Sequence, residues 1–416
     1  MRLIKTILYT SVSQALSIAA GLISVKVITS QIGPVGMAYT GQFANATAIL
    51  LLFATGAISS GVVKYLAQYS ADKAYQLQII RTSFWIIVFC SIIIGIATLL
   101  FSGFLSRSTF KTDTYTIVYI FWVIFLLFTT LSGLMGSILN GLREIRMLTL
   151  VSISGTLIGL TITIILAKTH GVTGVLIAPS LTAFCLFLIH LYFLYKYKWF
   201  KLGEVFAFKI NRQIVKLLSS FFFMTVISGI LTPAMQLFIR NKIILDIGLQ
   251  DAGYWQAVTR ISDYYLGFVT SVLAVYYLPR LSELTTRQEI RKEVINGYKV
   301  ILPTVAVISF IIWLLRHFII HLLMTKDFAP AEQLFGIQFL GDFFKIGAWL
   351  VGYLIVAKAM KSYYIINEIV FSIVYGFTTV FLIRKFGLMG TVYGFAICYL
   401  LDWIILYLLL VKKKVL

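Results

Sequence analysis

Charge is scarce in this sequence. Only 12% of its 416 residues are charged, and 15 acids stand against 35 bases. A water-soluble chain of this length needs far more polar surface, so a freely soluble enzyme is excluded at once. Cysteine is nearly absent: Cys90, Cys185 and Cys398 lie far apart inside apolar runs, which excludes a disulfide framework. Also missing are a P-loop, a nucleophile elbow and a paired-carboxylate motif, so neither ATP hydrolysis nor acyl transfer is expected of this chain. His317 and His321 share a helix face at i,i+4 but have no HExxH context, and no metal site is expected there. No connection between apolar runs is long enough to hold a soluble domain.

What the sequence does hold is grease. Hydrophobic residues make up 60% of it and the mean hydropathy is +0.95. Apolar windows of span length fall at roughly 7–29, 37–62, 79–101, 115–139, 147–167, 172–195, 217–239, 254–279, 299–323, 333–357, 363–383 and 389–411. The first imitates a secretory signal but continues to about Ile28, which is long enough to span and to be retained. The net charge of +20 is not gathered into one arm, which speaks against nucleic acid. It sits mostly in alternate connections, notably Lys196–Lys216, Arg280–Lys299 and the tail Lys412-Lys413-Lys414. By the positive-inside rule both termini are cytoplasmic. Ile210–Lys216 and Thr286–Gly297 read either as short amphipathic helices on the inner headgroups or as solvated loops.

An internal repeat lies near an offset of 216 residues. Ile32-Gly33 with Tyr39 recurs as Ile247-Gly248 with Tyr254, and Gly171-Val-Thr-Gly174 as Gly387-Leu-Met-Gly390. Gly136 pairs with Gly352 and Lys64 with Arg280. Six spans per half make the repeat parallel, about an axis along the membrane normal. The predicted fold is an all-α integral membrane protein of twelve transmembrane helices in two six-helix lobes, 1–200 and 201–416, around a central polar cavity. The linker falls at about 196–216.

The cavity is argued from polar stripes at helical spacing. Gln256, Arg260, Asp263, Gly267, Thr270 and Ser271 form one; Gln338, Asp342, Lys345, Trp349 and Gly352 form a second. A charge at the centre of a membrane helix costs at least about 2.5–3.5 kcal/mol, so it faces a bundle interior or water. The competing reading is that Arg260 with Asp263, and Asp342 with Lys345, neutralise each other at i,i+3 and merely lock helices together. Thr10, Ser13, Gln14, Ser17, Gly21 and Ser24 add an uncharged stripe. Gln42, Asn45 and Lys64 come from the second span, and Thr225, Ser228, Thr232 and Gln236 from the seventh. Small polar faces also serve close helix packing. Lys26 lies off the first stripe, either lining the cavity or snorkelling to headgroups. Asp263, Asp342, Glu368 and Asp402 are candidate coupling acids, because a carboxyl shut away from water can carry a proton; each also reads as a hydrogen-bonded structural acid. Pro233 should kink the seventh span. Ser17 and Ser228 are expected to face each other across the cleft.

Several stretches carry a resemblance. Gly253-Tyr-Trp-Gln-Ala, Arg260-Ile-Ser-Asp263-Tyr-Tyr-Leu, Gly341-Asp-Phe-Phe-Lys345 and Gly352-Tyr-Leu-Ile-Val-Ala-Lys358 resemble the Wzx flippases. So do Ile32-Gly33-Pro34, Lys64-Tyr65 and Gln68-Tyr69, and the likeness runs end to end. The Wzx flippases move lipid-linked oligosaccharides and belong to the superfamily of multidrug, oligosaccharidyl-lipid and polysaccharide exporters. The likeness is to the common-antigen branch; Glu368 sits where that branch carries an acid, whereas Asp402 departs from it. The resemblance implies alternating access through a cationic cavity in a Gram-negative inner membrane. It implies a substrate of undecaprenyl-pyrophosphate-linked O-antigen or common-antigen units. No cofactor is implied, with proton or sodium coupling left open. Partners would be the lipid-linked oligosaccharide, membrane lipid and other membrane proteins of polysaccharide assembly. A multidrug or cation antiporter of the same architecture is the main alternative. It would want an anionic, aromatic lining, whereas Arg260, Lys345, Lys64 and Lys26 weigh the other way. A membrane glycan polymerase is a further alternative, disfavoured by short outer connections with no acid/base constellation.

Overall fold

The computed structural model describes the backbone of residues 2–195, 203–204, 207–219, 222–413 and 415, and their side chains apart from 2–11, 223, 224 and 275. The expectations for the side chain of Thr10 and for much of the 196–216 connection lie outside the described residues. The rest is helical, with no strand among the described residues. Among the described residues, eight helices are long and apolar enough to cross a membrane.

The chain opens with α1 (Arg2–Ala54) and the short α2 (Ser59–Gln68). It continues through α3 (Lys73–Leu100), α4 (Ser102–Phe110), α5 (Thr116–Gly141) and α6 (Ile145–Tyr195). At 53 and 51 residues, α1 and α6 are each far longer than a bilayer needs. Both are interrupted by a glycine outside helical geometry, Gly33 (φ 62°) in α1 and Gly171 (φ 54°) in α6. A residue with a Cβ resists that left-handed region, so glycine marks the place where the chain must turn. Each long helix is therefore two limbs, which agrees with the two apolar windows read in each.

The second half follows a short α7 (Arg212–Ser219). Its members are α8 (Phe222–Asp246), α9 (Leu249–Val272) and α10 (Leu278–Glu283), with a π-helical stretch, Leu273–Tyr277, joining the last two. Then come α11 (Arg287–Leu314), α12 (Arg316–Leu323), a 3-10 segment Lys326–Leu334, and α13 (Phe335–Ala357). The hairpin of α14 (Lys361–Phe386) and α15 (Met389–Lys412) ends the chain. The α9 helix is not among the eight strongly apolar helices, because polar residues thin its hydropathy. The α8 helix runs through Pro233 as a single element.

Contacts divide the chain into two compact units, Met1–Ala20 with Tyr39–Ala234, and Gly21–Ala38 with Met235–Leu416. The middle of α1 belongs to the second unit: Gly253 of α9 packs so tightly on the Pro34 backbone that a Cβ would lie 2.0 Å from its carbonyl oxygen. In the first unit, Ile58, Val62, Ile79, Ile80, Leu134 and Leu139 form the centre of an apolar core. In the second, Leu273, Leu281, Val305, Ile346, Leu350 and Val351 do so.

The two amphipathic segments differ from a headgroup-bound reading. In α7, Ile214 and Leu218 are buried in the first unit's core, so protein rather than lipid takes the apolar face. Burying two such side chains contributes up to about 1.5–3 kcal/mol each. The second segment is not separate: Thr286 caps α11 through a reciprocal bond with Glu289, and the helix continues unbroken into an apolar span. Its Ile290 and Val294 join the second unit's core.

Candidate functional site

The two charged stripes lie in the second unit, on α9 and α13, beside α15. The α13 helix is about 35 Å long at 1.5 Å per residue, enough to cross the hydrocarbon. Gly341 and Gly347 set it hard against α15: a Cβ would meet the Phe395 ring at 2.4 Å and the Trp403 indole at 2.6 Å. That close approach brings α15 rings alongside the polar residues of α13.

Asp342 is completely buried. Ser262 Oγ donates to its Oδ2 at 2.5 Å, Tyr265 Oη to the same oxygen at 2.6 Å, and Gln338 Nε2 to Oδ1 at 3.2 Å. Ser309 on α11 lies 3.3 Å from the Tyr265 hydroxyl, which extends the node to a third helix. Both carboxylate oxygens are thus occupied, and the acid ties α9 to α13. Hydrogen bonds to an ionised group are worth roughly twice neutral ones.

The two cations nearby are held differently. Lys345 Nζ lies over three rings, Trp349 at 4.9 Å and Phe395 and Tyr399 at 5.8 Å each. Arg260 Nε donates to the Tyr264 hydroxyl at 3.2 Å. Among the described residues neither cation closes an ion pair within 4.0 Å of Asp263 or Asp342. Mutual neutralisation at i,i+3 is therefore not what these charges do in this structure. Asp263 is exposed, and its electrostatic neighbours are Lys345 and Arg260.

Other expected residues lie apart from this group. Gln256 accepts a hydrogen bond from Arg240 Nη2. Glu368 and Asp402 form a second polar group between α14 and α15. Asn367 Nδ2 donates to Asp402 at 3.1 Å, and the Tyr364 hydroxyl bonds Glu368. Lys26 is exposed. In the first unit, Lys64 is exposed over the Tyr65 ring at 5.3 Å, Gln42 is fully buried and Asn45 half-buried. The stripe of the first span is turned onto α6: Ser13 Oγ donates to Ser152 at 2.9 Å and Ser17 lies 3.2 Å from the Thr156 hydroxyl. Ser17 and Ser228 fall in the same compact unit. His317 is bound to Glu332 at 3.1 Å, and Arg316 pairs with that acid at 3.2 Å.

Sequence reasoning missed Arg240, because the apolar window of the seventh span ends one residue before it. The guanidinium is 1% exposed, lies 5.2 Å from the Trp255 ring, and is the largest fully buried side chain among the described residues. The run Arg240-Asn241-Lys242, still inside α8, was the available signal.

Residues 3–285 match the family described as polysaccharide biosynthesis protein. The lipid III flippase of Escherichia coli (strain K12) is 30% identical over 369 residues, 89% of this chain and 88% of that protein. The chain belongs to the polysaccharide biosynthesis protein family, as a Wzx-type flippase. Solved structures give the fold. A multidrug resistance transporter of the MATE family, inward-facing, superposes with a TM-score of 0.80 at 16% identity, covering 98% of each chain. A lipid II flippase in an inward closed conformation does so at 0.77 and 14% identity, covering 99% of this chain and 89% of that one. The Wzx-type flippase described here is thus a multi-pass membrane protein with the fold of the multidrug, oligosaccharidyl-lipid and polysaccharide exporter superfamily.

Proposed function

We propose that this flippase carries an undecaprenyl-pyrophosphate-linked oligosaccharide from the cytoplasmic to the periplasmic leaflet of a bacterial inner membrane. It works by alternating access and supplies O-antigen or common-antigen assembly. The lipid III flippase of Escherichia coli, similar over most of its length, supports that substrate class. Twelve spans follow if α1 and α6 count as two limbs each and α8 and the polar α9 are added to the six remaining apolar helices. The lobes are then about 1–200 and 201–416, with both termini cytoplasmic.

The observation that carries this reading is the state of the two interior cations. Arg260 rests on a hydroxyl and Lys345 on three rings. A cation–π contact contributes about 0.5–2 kcal/mol, less than a charge-assisted bond to phosphate. A pyrophosphate can therefore take both charges without first breaking an ion pair. Trp349 offers a face for a sugar ring, and the amides of Gln256, Gln42 and Asn45 suit saccharide hydroxyls. Lys64 and Lys26 add positive charge along the route, and Asp263, Asp342, Glu368 and Asp402 remain the acids available for ion coupling.

The test is the leaflet distribution of undecaprenyl-linked intermediates. Depletion of this protein should trap them on the cytoplasmic side. Lys345→Ala and Arg260→Ala should each reproduce that trapping at least tenfold while the protein stays in the membrane. Normal export by both variants overturns the reading. Reporter tags near Ser108 and Asp327 should be periplasmic and one at Lys201 cytoplasmic; the reverse pattern overturns the topology.

A further inference from the structure

The four interior acids are not equivalent. Asp342 has both oxygens occupied by three donors from two helices, and moving it would strand Ser262, Tyr265 and Gln338. Asp402 is 9% exposed and accepts from Asn367, while Glu368 is met by Tyr364. Asp263 differs from all three: it is exposed, and among the described residues nothing donates a hydrogen bond to it. Its electrostatic partners are the two cations just described, Lys345 across the helix interface and Arg260 one turn away on α9. Neither is committed to it in this structure, since Tyr264 holds one and the Trp349, Phe395 and Tyr399 rings hold the other.

A carboxylate presents the same acceptor chemistry to Arg and Lys as a phosphate oxygen does. Tethered on the same helix as Arg260, it acts at a high effective concentration without any search. A transporter that binds a pyrophosphate through two cations in an apolar setting risks holding it too long, and passage requires an exit as well as an entry. We propose that Asp263 is the release residue. It competes with the bound pyrophosphate for Arg260 and Lys345, weakening the loaded state so that the head group can leave. Asp263 then positions the emptied cations until they return to their neutral partners. The proposal rests on the flippase reading above, and its signature is a trade of affinity for speed. Loss of a merely structural acid would not tighten anion binding.

The experiment uses the full chain, purified in detergent and reconstituted into liposomes. Inorganic pyrophosphate binding is measured by calorimetry, and flipping by the leaflet exposure of a fluorescent polyprenyl-diphosphate-linked N-acetylglucosamine. Asp263→Asn should bind pyrophosphate roughly tenfold more tightly, the scale of one competing charge removed beside the two cations. Its KM for the fluorescent lipid and its maximal rate should fall together, and Asp263→Glu should restore both. Asp342→Asn should not tighten binding. Equal or weaker pyrophosphate binding by Asp263→Asn, beside a wild type that binds and flips, overturns the release role alone. A wild type that neither binds pyrophosphate nor flips the probe overturns the flippase reading and the release role with it.

Discussion

At Leu142–Glu144 and again at Lys358–Met360 the backbone makes the same three hydrogen bonds, 216 residues apart. Leu142, Arg143 and Glu144 donate to Ile138, Asn140 and Leu139; Lys358, Ala359 and Met360 donate to Leu354, Val356 and Ile355. The middle residue of each trio is left-handed, Arg143 at φ 60° and Ala359 at φ 53°, although neither is glycine. The agreement continues at Gly171 and Gly387, with φ of 54° and 58°. Three residues on, a Cβ on Gly174 would lie 2.1 Å from the Leu166 carbonyl oxygen, and one on Gly390 would lie 2.3 Å from that of Leu382. These turns and close approaches are shared by the two halves.

What each half encloses is different. At the same spacing, Asp342, Lys345 and Asp402 correspond to Leu126, Thr129 and Leu186. The first half closes its interior with neutral bonds, such as Ser91 to Thr130 at 2.9 Å and Ser132 to His190 at 3.1 Å. The second half carries the charges. The backbone also differs between the halves. Between Tyr39 and Lys64 the chain breaks at Gly56, whereas between Tyr254 and Arg280 it carries one residue more and stays helical through Leu273–Tyr277. A π stretch is how a helix absorbs a single extra residue, and it also accommodates Pro279, which has no N–H to give. A repeated scaffold thus needs donors placed around an acid before it can bury one, and only the second half has them.

The sharpest way to break this comparison is to put the charge on the wrong side. Leu126→Asp places a carboxylate at a site that is 2% exposed and lacks the Ser, Tyr and Gln donors of Asp342. It should cost about 3–5 kcal/mol, read as loss of folded protein in detergent unfolding. A stable variant would show that the first half tolerates charge as the second does. Asp342→Leu should come next, at about 2–4 kcal/mol, because three buried donors lose their acceptor. If it unfolds like the wild type, the node is not what joins α9 to α13.

Smaller effects sharpen the likeness of the halves. Gly174→Ala and Gly390→Ala should destabilise by similar amounts, about 1–3 kcal/mol, since each drives a methyl into a carbonyl of the preceding helix. Markedly unequal melting shifts would mean that the two hairpins are not packed alike. The smallest change has the opposite sign. Arg143→Gly and Ala359→Gly should each stabilise by about 0.5–1 kcal/mol by relieving a left-handed residue, and shifts of opposite sign in the two would refute the shared turn.

Much of this was legible in the sequence for definite reasons. Apolar runs of bilayer length can satisfy their backbone only as helices, so the spans announce themselves. The repeat showed at Gly171 and Gly387 because a left-handed turn admits few residues other than glycine, and the same turn was needed twice. The stripe on α13 showed because a charge in an apolar helix must face inward, whatever it meets there. By contrast, the sequence left open whether Asp342 pairs with Lys345 one turn away, because spacing alone permits that bond. The tertiary structure decided otherwise: Ser262 and Tyr265, far off in sequence, reach Asp342, while Phe395 and Tyr399 of α15 hold Lys345. Ser13 and Ser17 read as cavity lining until α6 supplied Ser152 and Thr156 as partners. Arg240 falls just past the seventh apolar window, and only the fold buries it against Trp255. Composition and periodicity act within one helix, and so the chain by itself determined which segments enter the membrane and which face of each is polar. Which neighbour answers each polar group depends on how closely helices approach, and the packing of Gly341 and Gly347 against α15 is set only when the whole unit has assembled.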